Sequence, residues 1–280
     1  MSSLPLVSTA APGRFVPVAA SARSMLILER LSAMPKLAGV TPASRLEVRA
    51  SPQMVSSGIR ELDALTGGLP RGCLTEICGP ASSGRTSILL ATLSAATQRQ
   101  EICALVDISD AFNPRSAAAA GVNFEKMLWV RCGMRLQKSP QRHRVTENKI
   151  EKPVEQALQV TDLLLQSGGF GLVIIDLGDT PLKMARRIPL TSWFRFQRAI
   201  EHTATVLFVI SLAPCARTCA SLLLKVSGKK LSAVSSLLSA ETPTHAQFLD
   251  GLQVQGELLR SRLERKPAGS VTAAFATKVG

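Results

Sequence analysis

The stretch Gly79-Pro80-Ala81-Ser82-Ser83-Gly84-Arg85-Thr86-Ser87 carries the residue types and spacing that bear most directly on chemistry. Its two glycines let backbone amides approach phosphate oxygens, a helix starting after the second favours an anion, Arg85 brings a cation, and Thr86 brings a hydroxyl for magnesium. The chemistry on offer is the holding of nucleotide phosphates. ATP with Mg is the expected ligand, the metal being shared by Thr86 and by Asp176 at the end of the apolar run Leu172-Val173-Ile174-Ile175. Arg85 stands where such loops usually carry lysine, and a planar fork does not substitute for a compact ammonium. A loop that keeps the fold and binds no nucleotide is the competing reading.

A second chemical group is cationic. From Arg131 to Lys152 seven Lys and Arg face only Glu147 and Glu151. Arg135, Lys138, Arg142, Arg144 and Lys149 are the candidate DNA contacts, neutralising phosphates without reading sequence; a solvated loop and an acidic partner surface are the alternatives. Trp193, Phe196 and Ile200 share one helical face, which favours core packing over base stacking. No Ser-His-Asp, Cys-His or paired-carboxylate arrangement stands out.

The elements that must position these groups alternate between strand and helix. The pattern predicts a short helix over 59–65, a buried strand over 73–78, a helix after Ser87, and a strand over 102–106 ending at Asp107. It continues with a helix near 116–120, a strand over 127–131, a helix over 153–166, the strand ending at Asp176, a helix over 192–202 and a strand over 206–211. Such alternation implies an α/β core with a parallel-dominated sheet covered by helices on both faces. After Pro214, residues 215–224 read as a helix, 249–262 and 271–276 as the strands of a terminal hairpin. Residues 24–34 read as a short amphipathic helix behind an extended basic arm. The expected organisation is an N-terminal arm over 1–50, the core over 51–216, and a C-terminal extension over 217–280.

Composition narrows the classes further. The 280 residues hold 33 Lys and Arg against 20 Asp and Glu, a net charge of +13 that favours anionic partners such as nucleic acid. Aromatic residues make up 4% and tyrosine is absent, which argues against a single-strand binder built on stacked rings. Six cysteines lie scattered in apolar stretches without CxxC or zinc spacing, as in a reduced cytoplasmic protein. The longest apolar stretch toward the C-terminus falls short of the roughly 20 residues a membrane span needs, so no membrane association is expected.

The runs Ser57-Gly58-Ile59-Arg60-Glu61-Leu62-Asp63, Gly68-Leu69-Pro70-Arg71-Gly72 and Glu76-Ile77-Cys78-Gly79-Pro80-Ala81-Ser82-Ser83-Gly84 resemble the core of the RecA recombinase family. The resemblance extends over roughly residues 55–215 through Val106-Asp107, Asn113-Pro114 and Ala119-Ala120-Gly121-Val122. It implies a P-loop fold and, at three positions, a departure from the family's chemistry. Ser109 stands where the family has its catalytic glutamate, Leu212 where it has a glutamine that senses the γ-phosphate, and Arg85 where it has lysine. The segment that would form the first DNA-binding loop, Leu177 to Ile188, is short. Losing a positioned base alone typically costs about 10² to 10⁴ in rate, so slow or absent hydrolysis is expected.

A degenerate core of this size with a basic C-terminal hairpin is similar to the ImuA family. That resemblance implies an accessory role in damage-induced translesion synthesis, with an ImuB-type polymerase relative and RecA as partners and DNA as a further one. A DNA-dependent ATPase that forms filaments is the alternative.

Overall fold

A computed structural model of the chain describes residues 26–27, 29–31, 33, 51–132, 148–232, 249–263 and 272–278. The chain divides into two units, Met1–Ala50 and Ser51–Gly280. In the first, residues 26–27 and 29–31 are helical, within the predicted 24–34.

The second unit is built on an eight-stranded sheet in the order β10-β9-β8-β3-β7-β6-β4-β5. Its parallel strands are β3 (Leu74–Cys78), β4 (Cys103–Asp107), β5 (Met127–Arg131) at one edge, β6 (Leu172–Asp176), β7 (Val206–Ser211) and β8 (Ala220–Ser232), each parallel to its neighbours within this group. Strands β9 (Leu249–Ser261) and β10 (Thr272–Lys278) extend the sheet antiparallel at one edge. A two-stranded ribbon, β1 (Met54–Val55) with β2 (Leu69–Pro70), lies outside it.

Strands β3, β4 and β7 are buried along their whole length because helices cover both faces of the sheet, which suits their mostly apolar residues and also encloses Thr75, Glu76, Asp107 and Ser211. Val173 and Ile175 point to one face, toward Ala157 of α4 (Asn148–Ser167) and Trp193 and Phe196 of α6 (Leu190–Ile200). Leu172 and Ile174 point to the other, toward Ile88, Leu89 and Leu93 of α2 (Arg85–Gln98), with Leu62 of α1 (Arg60–Thr66) in the same layer. Each such side chain contributes about 1.5 to 3 kcal/mol on burial. Trp193 and Phe196 meet edge to face at 6.0 Å, so the aromatic residues of α6 are core, as their helical spacing predicts; Phe194, on the opposite side, is exposed.

Residues 215–224 do not form the expected helix. Arg217–Cys219 make one 3₁₀ turn and Ala220 begins β8. Leu222, Leu223 and Leu224 are all buried because β8 lies inside the sheet, between β3 and β9, and that run of apolar residues hides the alternation by which strands are recognised. The expected terminal hairpin is present as β9 and β10. A further short helix, α5 (Leu182–Arg187), occupies the segment between Asp176 and α6, with Met184 and Ala185 buried. Helix α3 (Pro114–Ala119) starts with Asn113 accepting hydrogen bonds from the Arg115 and Ser116 amides, and with proline at its first position.

Candidate phosphate-binding loop

The loop 79–84 leaves the C-terminal end of β3 and enters α2, which places the free amides of a helix start at its mouth. Both glycines are sterically required. Gly84 has φ of 90°, and a Cβ there would lie 2.3 Å from Cγ2 of Val254 on β9. At Gly79 a Cβ would lie 2.3 Å from the Val226 carbonyl oxygen on β8. The C-terminal strands thus wall the loop, because β8 pairs with β3 only up to Lys225 and then runs on past the strand end beside the glycines. Sequence reasoning missed Val226 and Val254; their contribution depends on a pairing more than a hundred residues along the chain, and no local pattern marks it.

Ser82, in the left-handed region at φ 58°, is exposed, as are Pro80, Ala81 and Thr86; Ser87 is half-buried. Ser83 is buried and its Oγ has no hydrogen-bond partner. Arg85 is 7% exposed, and one guanidinium nitrogen, Nη1, donates to the Gly178 carbonyl oxygen at 2.9 Å while Nε has no partner. Unpaired buried polar atoms carry a cost of about 1 to 3 kcal/mol each, and a phosphate group against this loop would supply acceptors for both. The glycine cradle and these two atoms fit the phosphate part of a nucleotide.

Across from the loop, Asp176 ends β6. Its Oδ1 accepts a hydrogen bond from the Gly178 amide at 2.8 Å. Burial pushes its carboxyl up to about 6; the Gly178 amide and Arg85 pull the other way, and Asp107 and Asp179 add to the rise. Thr86 and Asp176 are the pair expected to hold magnesium, Thr86 on the exposed start of α2 and Asp176 half-buried at the sheet end.

The neighbouring strand end is differently furnished. Asp107, paired in register with Asp176, is fully buried. It accepts from the Ala111 amide at 3.2 Å, the Phe112 amide at 3.0 Å and Trp129 Nε1 at 3.2 Å. Ser109 is exposed, and Asp110 makes a two-pronged ion pair with Arg131, 2.6 Å at each contact. Arg131 also lies over the Trp129 ring, 4.8 Å from its centroid.

A third carboxyl group escaped the sequence reading. Glu76, in the middle of β3 and fully buried, accepts from Ser211 Oγ at 3.0 Å and from the amides of Cys215 and Ala216 at 2.6 and 3.2 Å. It fastens the segment containing Leu212 to the strand that carries the loop. Its signal was present, since an acid inside Leu74-Thr75-Glu76-Ile77-Cys78 needs donors wherever that strand is buried. Burial, then Glu76, pushes the Cys78 thiol up to about 12, and Cys215 is shifted the same way, so neither is a nucleophile at neutral pH.

Of the expected DNA contacts, Arg135, Lys138, Arg142 and Arg144 lie outside the described residues. Lys149 falls in the first turn of α4.

Strand, glycine loop and helix in this order, with an acid ending a parallel strand opposite, define a P-loop α/β domain. Its fold is RecA-like. The profile of the RecA N-terminal domain matches residues 31–137. Protein RecA of Deinococcus radiodurans is 32% identical over 166 residues, 57% of this chain and 40% of the relative. Protein RecA of Kineococcus radiotolerans is 28% identical over 65% of this chain and 52% of its own length, and that of Brucella canis 35% identical over 44% and 30%. The chain thus spans at most about half the length of these relatives. A crystal structure of the RadB recombinase superposes with a TM-score of 0.50 at 18% identity, covering 79% of this chain and 95% of RadB. Among the described residues no helix is long and apolar enough to cross a membrane.

Proposed function

We propose that this chain is a non-catalytic or weakly catalytic RecA-like accessory protein of damage-induced translesion synthesis, acting by pairing with an ImuB-type polymerase relative and with RecA. The observation that supports it most is the fate of the hydrolytic positions. Ser109 is a neutral exposed residue, Leu212 has no group to sense a phosphate, and the Arg85 guanidinium is bound inward to Gly178. Nucleotide, where held, sits on Gly79 to Ser87 with magnesium between Thr86 and Asp176, and serves the fold more than a reaction. The basic segment around Arg135, Lys138, Arg142, Arg144 and Lys149 supplies a DNA contact that weakens steeply with salt.

Two measurements test this reading. Phosphate release with single-stranded DNA present is expected far below the roughly 1 s⁻¹ low end of typical enzymes. Pull-downs with the full chain are expected to retain RecA and an ImuB-type protein. Failure to bind either removes the accessory reading. Turnover near 1 s⁻¹ favours the competing one, a DNA-dependent ATPase that forms filaments, for which the match to RecA over residues 31–137 speaks.

A further inference from the structure

The side chain at the cation position of a phosphate loop normally reads the outer phosphates, because a lysine ammonium is a compact charge on a mobile stem. Arg85 is placed otherwise. Its guanidinium is buried between the loop and the end of β6, with Nη1 bonded to the Gly178 carbonyl oxygen. The packing there is close: a Cβ on Gly178 would lie 3.2 Å from Arg85 Nη1 and 2.8 Å from Asp176 Oδ1. The Gly178 residue is held at both ends, its amide by Asp176 and its carbonyl by Arg85. Arg85 therefore ties the first residue of α2 to the turn after β6. A planar fork fixed in this way has lost the freedom to follow a third phosphate.

Another cation, Lys225 of β8, pairs in register with Cys78 one residue before the loop and is exposed to solvent. Leu212 offers no donor, and Ser109 is exposed and neutral. What does persist on the loop side is the set of groups that grip inner phosphates: the glycine cradle, the helix start and the buried, unpartnered Ser83 Oγ.

We infer that the loop is blind to the γ-phosphate and takes a nucleoside diphosphate as readily as a triphosphate, with the Arg85 fork latched through Nη1 to Gly178 and only its Nε left to meet an inner phosphate. This rests on the proposed occupation of the loop by nucleotide. A protein with such a site holds the same conformation whichever nucleotide is present, which suits a constant scaffold and removes any cycle of binding and release driven by hydrolysis.

Isothermal titration of the full chain with ADP and with ATP, each with magnesium, tests it directly. Wild type is expected to bind the two within about threefold of each other. Arg85→Lys, which keeps the charge and is too short and round to hold Gly178, is expected to shift the ratio toward ATP by about tenfold or more, a difference of about 1.4 kcal/mol. A thermal melt of each variant verifies that it is folded, and Arg85→Gln, which removes the charge while keeping an amide donor, serves if the lysine variant does not fold; it is expected to leave the ADP to ATP ratio at the wild-type value. A tenfold preference for ATP in the wild type overturns the inference, as does binding of neither nucleotide by the folded chain, or an Arg85→Lys ratio identical to wild type. None of these outcomes bears on whether RecA or an ImuB-type protein is captured, so the accessory role stands or falls separately.

Discussion

Asp107 and Asp176 occupy matching positions on adjacent parallel strands, yet they live in opposite circumstances. The first is sealed in and meets three donors, two of them amides of the turn that follows and one the indole of Trp129. The second meets one amide, keeps part of its surface, and is pushed up to about 6. A carboxylate surrounded by donors belongs to the fold. One left short of them at the mouth of a glycine loop is held in an unfavourable state by the fold, which is the usual mark of a site where something else is meant to bind. The comparison separates two acids that look alike in sequence, both ending apolar runs.

Substitution breaks the comparison in a graded way. Asp107→Ala leaves three donors, two of them backbone, without their acceptor, and is expected to cost the most, about 3 to 5 kcal/mol in chemical denaturation. A loss below 1 kcal/mol would mean that water replaces the carboxylate and that the turn is not held by it.

Asp176→Asn is expected to act in the opposite direction. An acid whose folded value is about 6 against roughly 3.9 unfolded opposes folding once it is ionised. The asparagine variant, which still accepts from the Gly178 amide, should therefore exceed wild type in stability at pH 8, on the order of 1 to 3 kcal/mol. That advantage should shrink as pH falls through 6 and vanish near 4. A pH-independent difference would show that Asp176 is well solvated and the contrast with Asp107 is false.

The smallest shift is expected from Arg131→Ala, which removes the exposed ion pair with Asp110 and the contact over Trp129 but leaves the bonds to Asp107 in place. A thermal melt close to wild type sharpens the comparison by locating the strength of that corner in Asp107. A large drop would shift it to the surface pair.

Much of this was legible beforehand. The order of strands and helices from β3 to β7 followed from apolar runs broken by glycine, proline and amphipathic segments, and the loop 79–87 announced itself by residue type. The burial of Trp193, Phe196 and Ile200 followed from their spacing. What stayed hidden has a common cause. The direction of the Arg85 side chain depends on Gly178, the donors of Glu76 come from residues 211 to 216, and β8 reads as a helix because its apolar residues are covered on both faces. Each is fixed by a partner far along the chain, where residue type alone carries no information on distance.

The long register of β8 against β3 has a consequence for how the molecule comes into being. Leu74 pairs with Ala220, and Gly84 is packed by Val254, so the loop near residue 80 has its wall supplied by the last quarter of the chain. Contacts of such sequence separation form late and slowly. During synthesis β3 therefore emerges with both edges bare, one until β7 and the other until β8 has left the ribosome; an unpaired strand edge of this kind is the place where chaperones or aggregation intervene. The wall of the loop is complete only once Val254 has been made and paired, and any nucleotide held there binds after that.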